Sequence, residues 1–175
     1  MTQGAVIWFT GHSKSGKTTL SKIVASELQK QGYRAVRLDS DTLPAAIIKP
    51  EAPRWEERQR LKNENLIFLS ELLYQHGDIV LIASVGRFRQ WREQLRAKIP
   101  RYAEIYLKCS LTERLQRDTA GKYETHKDYF HIYEEPERPD LVIETDRMAV
   151  QESAAAVVSL LRDKGLIGQS PEFRQ

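Results

Sequence analysis

A single cysteine, Cys109, stands in a chain of 175 residues. That scarcity excludes an intrachain disulfide framework and any zinc site built from several thiolates. Cys109 ends the apolar run Ile105-Tyr106-Leu107, so a buried, inert thiol is expected there. No stretch approaches the roughly 20 apolar residues that a membrane span needs. The first residues lack a basic segment and a cleavage signature, so no signal peptide is expected and the cytoplasm is the expected location. An excess of one charge is also missing. Lys+Arg 27 against Asp+Glu 24 leaves +3, too little to argue for a nucleic-acid partner and in keeping with an enzyme that holds small anions. There is no internal repeat, low-complexity tract or linker. Hydrophobic residues at 41% and charged residues at 29% fit one globular domain and exclude disorder, collagen and coiled coil.

Short apolar runs alternate with amphipathic stretches. Ala5–Thr10 reads as a buried strand ending at Gly11, and 17–31 as a helix with Leu20, Ile23, Val24 and Leu28 on one face, stopped by Gly32. Ala35–Leu38 reads as a second strand, followed by Asp39-Ser40-Asp41 and an irregular connection marked by Pro44, Pro50 and Pro53. A long helix is expected from about Arg54 to His76, with Leu61, Asn65, Phe68, Leu69 and Leu72 on its buried stripe and Asn65 there as a satisfied amide. The wholly apolar Ile79–Ala83 suits the centre of a parallel sheet. An Arg-rich helix near 88–98, a strand near 104–108, a helix from about Thr112, a strand at 141–144 and a helix at 149–164 complete the pattern. The alternation predicts a three-layer α/β/α sandwich around a parallel sheet, the P-loop NTPase fold, as one domain over 1–165 with a loose tail at 166–175.

Gly11-His12-Ser13-Lys14-Ser15-Gly16-Lys17-Thr18 matches G-x-x-x-x-G-K-[ST] between a strand and a helix, the context in which this pattern cradles phosphates. The glycines let successive backbone N–H groups turn inward, and the helix N-terminus adds partial positive charge. Residues 11–19, Thr19 included, are therefore the expected ATP site. Lys17 is expected on the β- and γ-phosphates and the Thr18 hydroxyl on Mg²⁺. Lys14 is an extra cation that touches phosphate or points to water. No Asn-Lys-x-Asp motif is present, which argues against a GTPase, and the central strand ends without a carboxylate. The acids stand instead after the second strand. There Asp41, with Asp39 assisting, can orient or deprotonate an attacking hydroxyl or organise Mg²⁺; for Asp39 a turn cap is an equal reading.

These residues carry a resemblance. The chain resembles the adenylylsulfate kinase family over about Ala5–Asp146, through VIWFTGHSKSGKTTL, RLDSDTL, the strand after Gly77, RDTAGKY (Arg117–Tyr123) and YEEPERPDLVIETD (Tyr133–Asp146). The resemblance implies ATP-dependent phosphoryl transfer to the ribose 3′-hydroxyl of a nucleotide, first of all adenylylsulfate. It also implies Mg²⁺, a lid at about 119–135, no nucleic-acid or membrane partner, and a homodimer. Arg117, inside the matched block, is the expected lid cation on the transferring phosphoryl group, in preference to Arg114. Asp41, Arg58, Val85, Gly86 and Arg89 are the expected acceptor contacts.

The departures fall on the acceptor side. Pro44 replaces an arginine of the D-G-D-N-x-R pattern, and the stacking phenylalanine falls near Pro53. The Arg-x-x-Asn pair is read at Arg58, with Leu61 where the Asn lies, and the Ser of I-S-P-Y-R is read at Gly86. The lid is shortened to Glu124–Ile132. Arg54, Arg60, Arg87, His126, Lys127 and His131 are available as replacements or are ordinary surface charge. Two alternatives stay open: a kinase for another nucleotide-linked metabolite such as cytidine diphosphoramidate, and a catalytically weak nucleotide-binding module.

Overall fold

The computed structural model describes residues 3–168. In chain order the elements are β1 (Ala5–Thr10), α1 (Lys17–Lys30), β2 (Ala35–Asp39), α2 (Ala45–Ile48), α3 (Trp55–Gln75), β3 (Ile79–Ala83) and α4 (Arg89–Lys98). They continue with β4 (Tyr102–Lys108), α5 (Leu111–Arg117), α6 (Lys122–Thr125), α7 (Lys127–Phe130), β5 (Leu141–Glu144) and α8 (Val150–Asp163). The five strands form one parallel sheet in the order β2-β3-β1-β4-β5. This is the expected three-layer sandwich. Among the described residues no helix is long and apolar enough to cross a membrane.

The central strands β1 and β3 are buried along their whole length, which is why they read as unbroken apolar runs. Alternate side chains divide between two cores. Ala5, Ile7, Phe9, Leu81 and Ile105 meet α1 and α8 on one face; Val6, Trp8, Val80 and Ile82 meet α3 and α4 on the other. Cys109 is buried at the end of β4, as expected.

Two expectations are corrected. On α3 the stripe that meets the sheet is Asn63, Leu66, Ile67 and Ser70, whereas Phe68 is 64% exposed and Leu72 42%. Both stripes have helical spacing, and the sheet buries the one that carries Leu66 and Ile67; of the expected stripe Leu69 packs against that core. Asn65 lies between them and donates to the Ile47 carbonyl at 3.0 Å, a satisfied amide that joins α3 to α2. The 119–139 region has no apolar periodicity, yet it forms the single turns α6 and α7. Finally, the loose tail was expected from Leu166, but Leu166 and Ile167 are buried in the α1–α8 core; residues 169–175 lie outside the described residues.

Candidate active site

β1 delivers the chain to the phosphate loop at the carboxyl edge of the sheet. Gly11 has φ 145°, and a Cβ there would stand 2.4 Å from the Leu107 carbonyl oxygen, so only glycine lets the loop leave the strand beside β4. Gly16 has φ 99° and starts α1. Lys17 is buried and its Nζ donates to the carbonyls of Gly11 (2.9 Å) and His12 (2.7 Å), which folds the ammonium back across the loop. Burial, aided by Arg87 and Lys62, lowers its pKa from 10.5 to about 7 against the pull of Asp41. The His12 ring tilts against Tyr133, with centroids 4.7 Å apart. Burial and the nearby Arg114 and Lys17 lower its pKa to about 4, so the ring is neutral at ordinary pH.

A cavity of about 260 Å³ opens over the loop. It is lined by Ser13, Lys14, Gly16, Lys17, Thr18 and Thr19 from the loop and helix, Ser40 and Asp41 after β2, Ala83 at the end of β3 and Val85 just beyond it, Arg117 of α5 and Lys122 of α6. The Thr18 hydroxyl donates to Asp41 Oδ2 at 3.4 Å. Two hard oxygen donors thus face one cavity, a donor set suited to Mg²⁺. Asp39 is not in this cavity. It is 1% exposed, its carboxylate pairs with Arg37, and it accepts the Asp41 N–H at 2.9 Å. Arg37 and Asp39 are two apart on one strand and so share a face. Of the two readings for Asp39, the turn cap is the one its contacts match.

Arg117, the expected cation at the phosphoryl group, lines the phosphate cavity. Arg117 donates to the carbonyls of Lys14 (3.4 Å) and Thr145 (2.9 Å) and pairs with Glu113 (2.9 Å). It forms the wall between the phosphate cavity and a second one of about 240 Å³ lined by Thr19, Leu20, Thr145, Met148 and Val150. That position suits an arginine that braces the loop beside a nucleotide base. Arg114 is buried and donates to Tyr123 Oη at 2.7 Å; Tyr123 in turn donates to the Ser13 carbonyl at 2.8 Å. Lys122 of α6 lines the phosphate cavity beside Arg117, and it was not among the expected site residues.

On the acceptor side, two of the expected arginines do not reach the cleft. Arg58 is exposed on α3. Arg89 donates to the Glu135 carbonyl and pairs with Glu137, which ties it to the segment after the lid. Gly86 is buried with φ 56°, and a Cβ there would stand 2.9 Å from the Trp8 indole, so it is a packing glycine. Arg60 pairs with Glu64 on an exposed face. Arg87 is different. Its Nη1 donates to the Tyr129 and Ile132 carbonyls, its guanidinium lies over the Trp55 and Phe130 rings, and its charge is felt at Lys17 and Lys62. Trp55 stacks on Tyr129 at 4.7 Å and 12°. Lys62 is half-buried, and burial with Arg87 beside it lowers its pKa to about 8. Lys62 had a signal in the sequence. Lys62-Asn63-Glu64-Asn65 repeats the Arg-x-x-Asn spacing with lysine for arginine, one helical turn beyond Arg58.

Comparison with known proteins agrees with this geometry. The family profile described as "Adenylylsulphate kinase" matches residues 3–144. The chain is 31% identical over 173 residues to a probable adenylyl-sulfate kinase of Pyrococcus abyssi, covering 94% of this chain and 99% of that protein. It is 34% identical over 150 residues to a probable adenylyl-sulfate kinase of Archaeoglobus fulgidus, covering 81% and 96%. Among solved structures, the Mycobacterium tuberculosis APS kinase CysC in complex with AMPPNP and APS superposes with a TM-score of 0.81 at 24% identity, over 93% of this chain and 99% of that one; at that identity the likeness speaks for the fold.

Proposed function

The chain belongs to the adenylylsulphate kinase family, and we propose that it transfers the γ-phosphoryl group of ATP to the ribose 3′-hydroxyl of adenylylsulfate. The observation that carries this reading is the single cavity in which Lys17, Thr18 and Asp41 converge. Loop amides and Lys17 bind the β- and γ-phosphates and stabilise the charge that spreads over the transferring group. Thr18 and Asp41 would hold Mg²⁺, which when bound neutralises phosphate charge. Asp41 orients the acceptor hydroxyl and accepts its proton. Lys122 brings a further positive charge from the lid, and Arg117 braces the loop. Lys62 and Arg87 hold the anionic part of the acceptor, and Trp55, Tyr129 and Phe130 offer aromatic faces to its base. Closing of the lid excludes water, so that the hydroxyl and not solvent is phosphorylated.

A second acceptor has specific support. Arg58 and Arg89 stand away from the cleft, and the cations that replace them, Lys62 and Arg87, come from different positions. That rebuilt side favours another nucleotide-linked acceptor such as cytidine diphosphoramidate. ADP release with ATP·Mg²⁺ decides between them. Turnover with adenylylsulfate and none with CDP-linked acceptors is the expected result; the reverse assigns the second acceptor. ATP binding without turnover on any acceptor overturns both and leaves a nucleotide-binding module.

A further inference from the structure

The phosphate loop holds one side chain in a backbone conformation that side chains avoid. Lys14 has φ 67°, and among the described residues it alone is a non-glycine at positive φ. Such a conformation persists where surrounding contacts over-determine it, and it clusters at functional positions. Beside the loop's own Ser15 N–H to His12 carbonyl bond at 3.2 Å, the contacts here lead to one place, the segment from Arg117 to Tyr123 at the stem of the lid. The Ser13 carbonyl accepts from Tyr123 Oη at 2.8 Å, the Lys14 carbonyl accepts from Arg117 at 3.4 Å, and Lys14 Nζ lies 3.7 Å from Asp118 Oδ1.

Asp118 is the unusual partner. Its side chain is 3% exposed. Oδ2 accepts the Tyr123 N–H at 2.8 Å, but Oδ1 has no hydrogen-bond partner among the described residues. The Lys14 ammonium is near enough to neutralise that oxygen and too far to bond it. The pair is therefore loose, and the same ammonium belongs to a residue lining the phosphate cavity. A triphosphate in that cavity offers more negative charge and shorter, charge-assisted hydrogen bonds.

We propose that Lys14 is a second phosphate-binding cation of this enzyme, shared between two anions: Asp118 of the lid stem when the cleft is empty, and the β- and γ-phosphates when ATP is bound. This deepens the nucleotide half of the function proposed above and does not depend on the acceptor. Movement of the ammonium into the cavity leaves Asp118 without its counter-charge, so filling of the loop and freedom of the lid stem are coupled. The coupling is reciprocal. Whatever weakens Lys14's attachment to Asp118 strengthens its attachment to phosphate.

That reciprocity separates the proposal from a purely structural ion pair. Mg·ATP affinity is measured by titration calorimetry for the full chain and for Lys14→Met, Lys14→Gly, Asp118→Asn and Lys17→Ala, with thermal unfolding beside each. Asparagine keeps an oxygen for the Tyr123 amide and removes the charge. Lys14→Met is expected to weaken Mg·ATP about tenfold, with a smaller effect on AMP, and Asp118→Asn is expected to tighten it. Lys14→Gly relaxes the backbone, so it keeps or raises the Tm while losing the same affinity; it serves as the test if the Met variant does not fold. Weakening by both Lys14→Met and Asp118→Asn, or no change with Lys14→Gly, overturns the proposal. If Lys17→Ala loses ATP while the Lys14 variants bind as wild type, only this proposal fails. If Lys17→Ala also binds normally, the nucleotide reading fails and the proposal with it.

Discussion

Lys17 shows how burial sets chemistry at the scale of one residue. In the empty cleft its ammonium is desolvated and faces Arg87 and Lys62, so it holds its proton only up to about pH 7. A bound triphosphate favours the charged form. Binding therefore takes up a proton above about pH 7, where the free lysine is largely neutral. Titration calorimetry at pH 8.5 in buffers of different ionisation enthalpy should read that uptake, and Lys17→Met should abolish it; equal heats in all buffers would refute the shift. The sign for stability follows from the same protons. Between about pH 7 and 10.5 the unfolded chain binds more protons at this site than the folded one. The Lys17 contribution to stability therefore rises with pH across that window. Asp39 and Asp41, two positions apart, show the reverse side of burial: the one whose oxygens are used by Arg37 and the Asp41 amide is lost to chemistry, and the one beyond the strand keeps Oδ2 for the cleft.

Among the elements, α3 is the most instructive. It carries two stripes of helical spacing, and the one against the sheet leaves Arg58 in solvent and turns Lys62 toward Arg87 and Asp41. Lys62→Met should raise the acceptor KM about tenfold, the value of one charge-assisted hydrogen bond, with little effect on the KM for ATP. Arg58→Met should leave both constants unchanged. Equal effects of the two substitutions, read from steady-state kinetics, would remove Lys62 from the acceptor site. The register was not legible in the sequence, because Arg58-x-x-Leu61, Arg60-x-x-Asn63 and Lys62-x-x-Asn65 overlap on this helix. Nor was the exposed face, because the spacing of Leu61, Phe68 and Leu72 is as helical as that of Leu66, Ile67 and Ser70. The turns α6 and α7 escaped for another reason. Each is a single turn with a tertiary partner, α6 starting after Gly121 and reaching the Ser13 carbonyl through Tyr123, α7 starting after His126 and accepting from Arg87 at the Tyr129 carbonyl, so local propensity carries little signal.

At the scale of the whole molecule, the two walls of the cleft are joined by one buried arginine. Arg92 is fully buried on α4; its Nε pairs with Glu104 of β4 at 3.0 Å, Nη2 donates to the Glu134 carbonyl at 2.6 Å, and Nη1 donates to the Gly86 carbonyl. It thus fixes the loop after β3, the central sheet and the segment leaving the lid to one another. Removing Arg92 leaves Oε1 of the buried Glu104 without a partner, while Oε2 keeps its pairing with Arg96 at 3.1 Å. Arg92→Met is expected to cost about 3 kcal/mol of unfolding free energy. Arg147, in an exposed pair with Glu144, is expected to cost less than about 1 kcal/mol. Denaturant midpoints compare the two, and a small effect at Arg92 would show that the network does not hold the fold.

The centre of the parallel sheet was legible in the sequence, because β1 and β3 are buried along their whole length and read as apolar runs. So was the phosphate loop, because consecutive residues 11–18 form that site with their own backbone and need no distant partner to be recognised. The acceptor side was set by packing. Asp41, Arg87 and Tyr129 come from three separate segments and Trp55 and Lys62 from a fourth, α3, and each is selected by which face of its helix or loop the core leaves uncovered. That choice is made by packing between elements, and it leaves no fixed spacing in the chain.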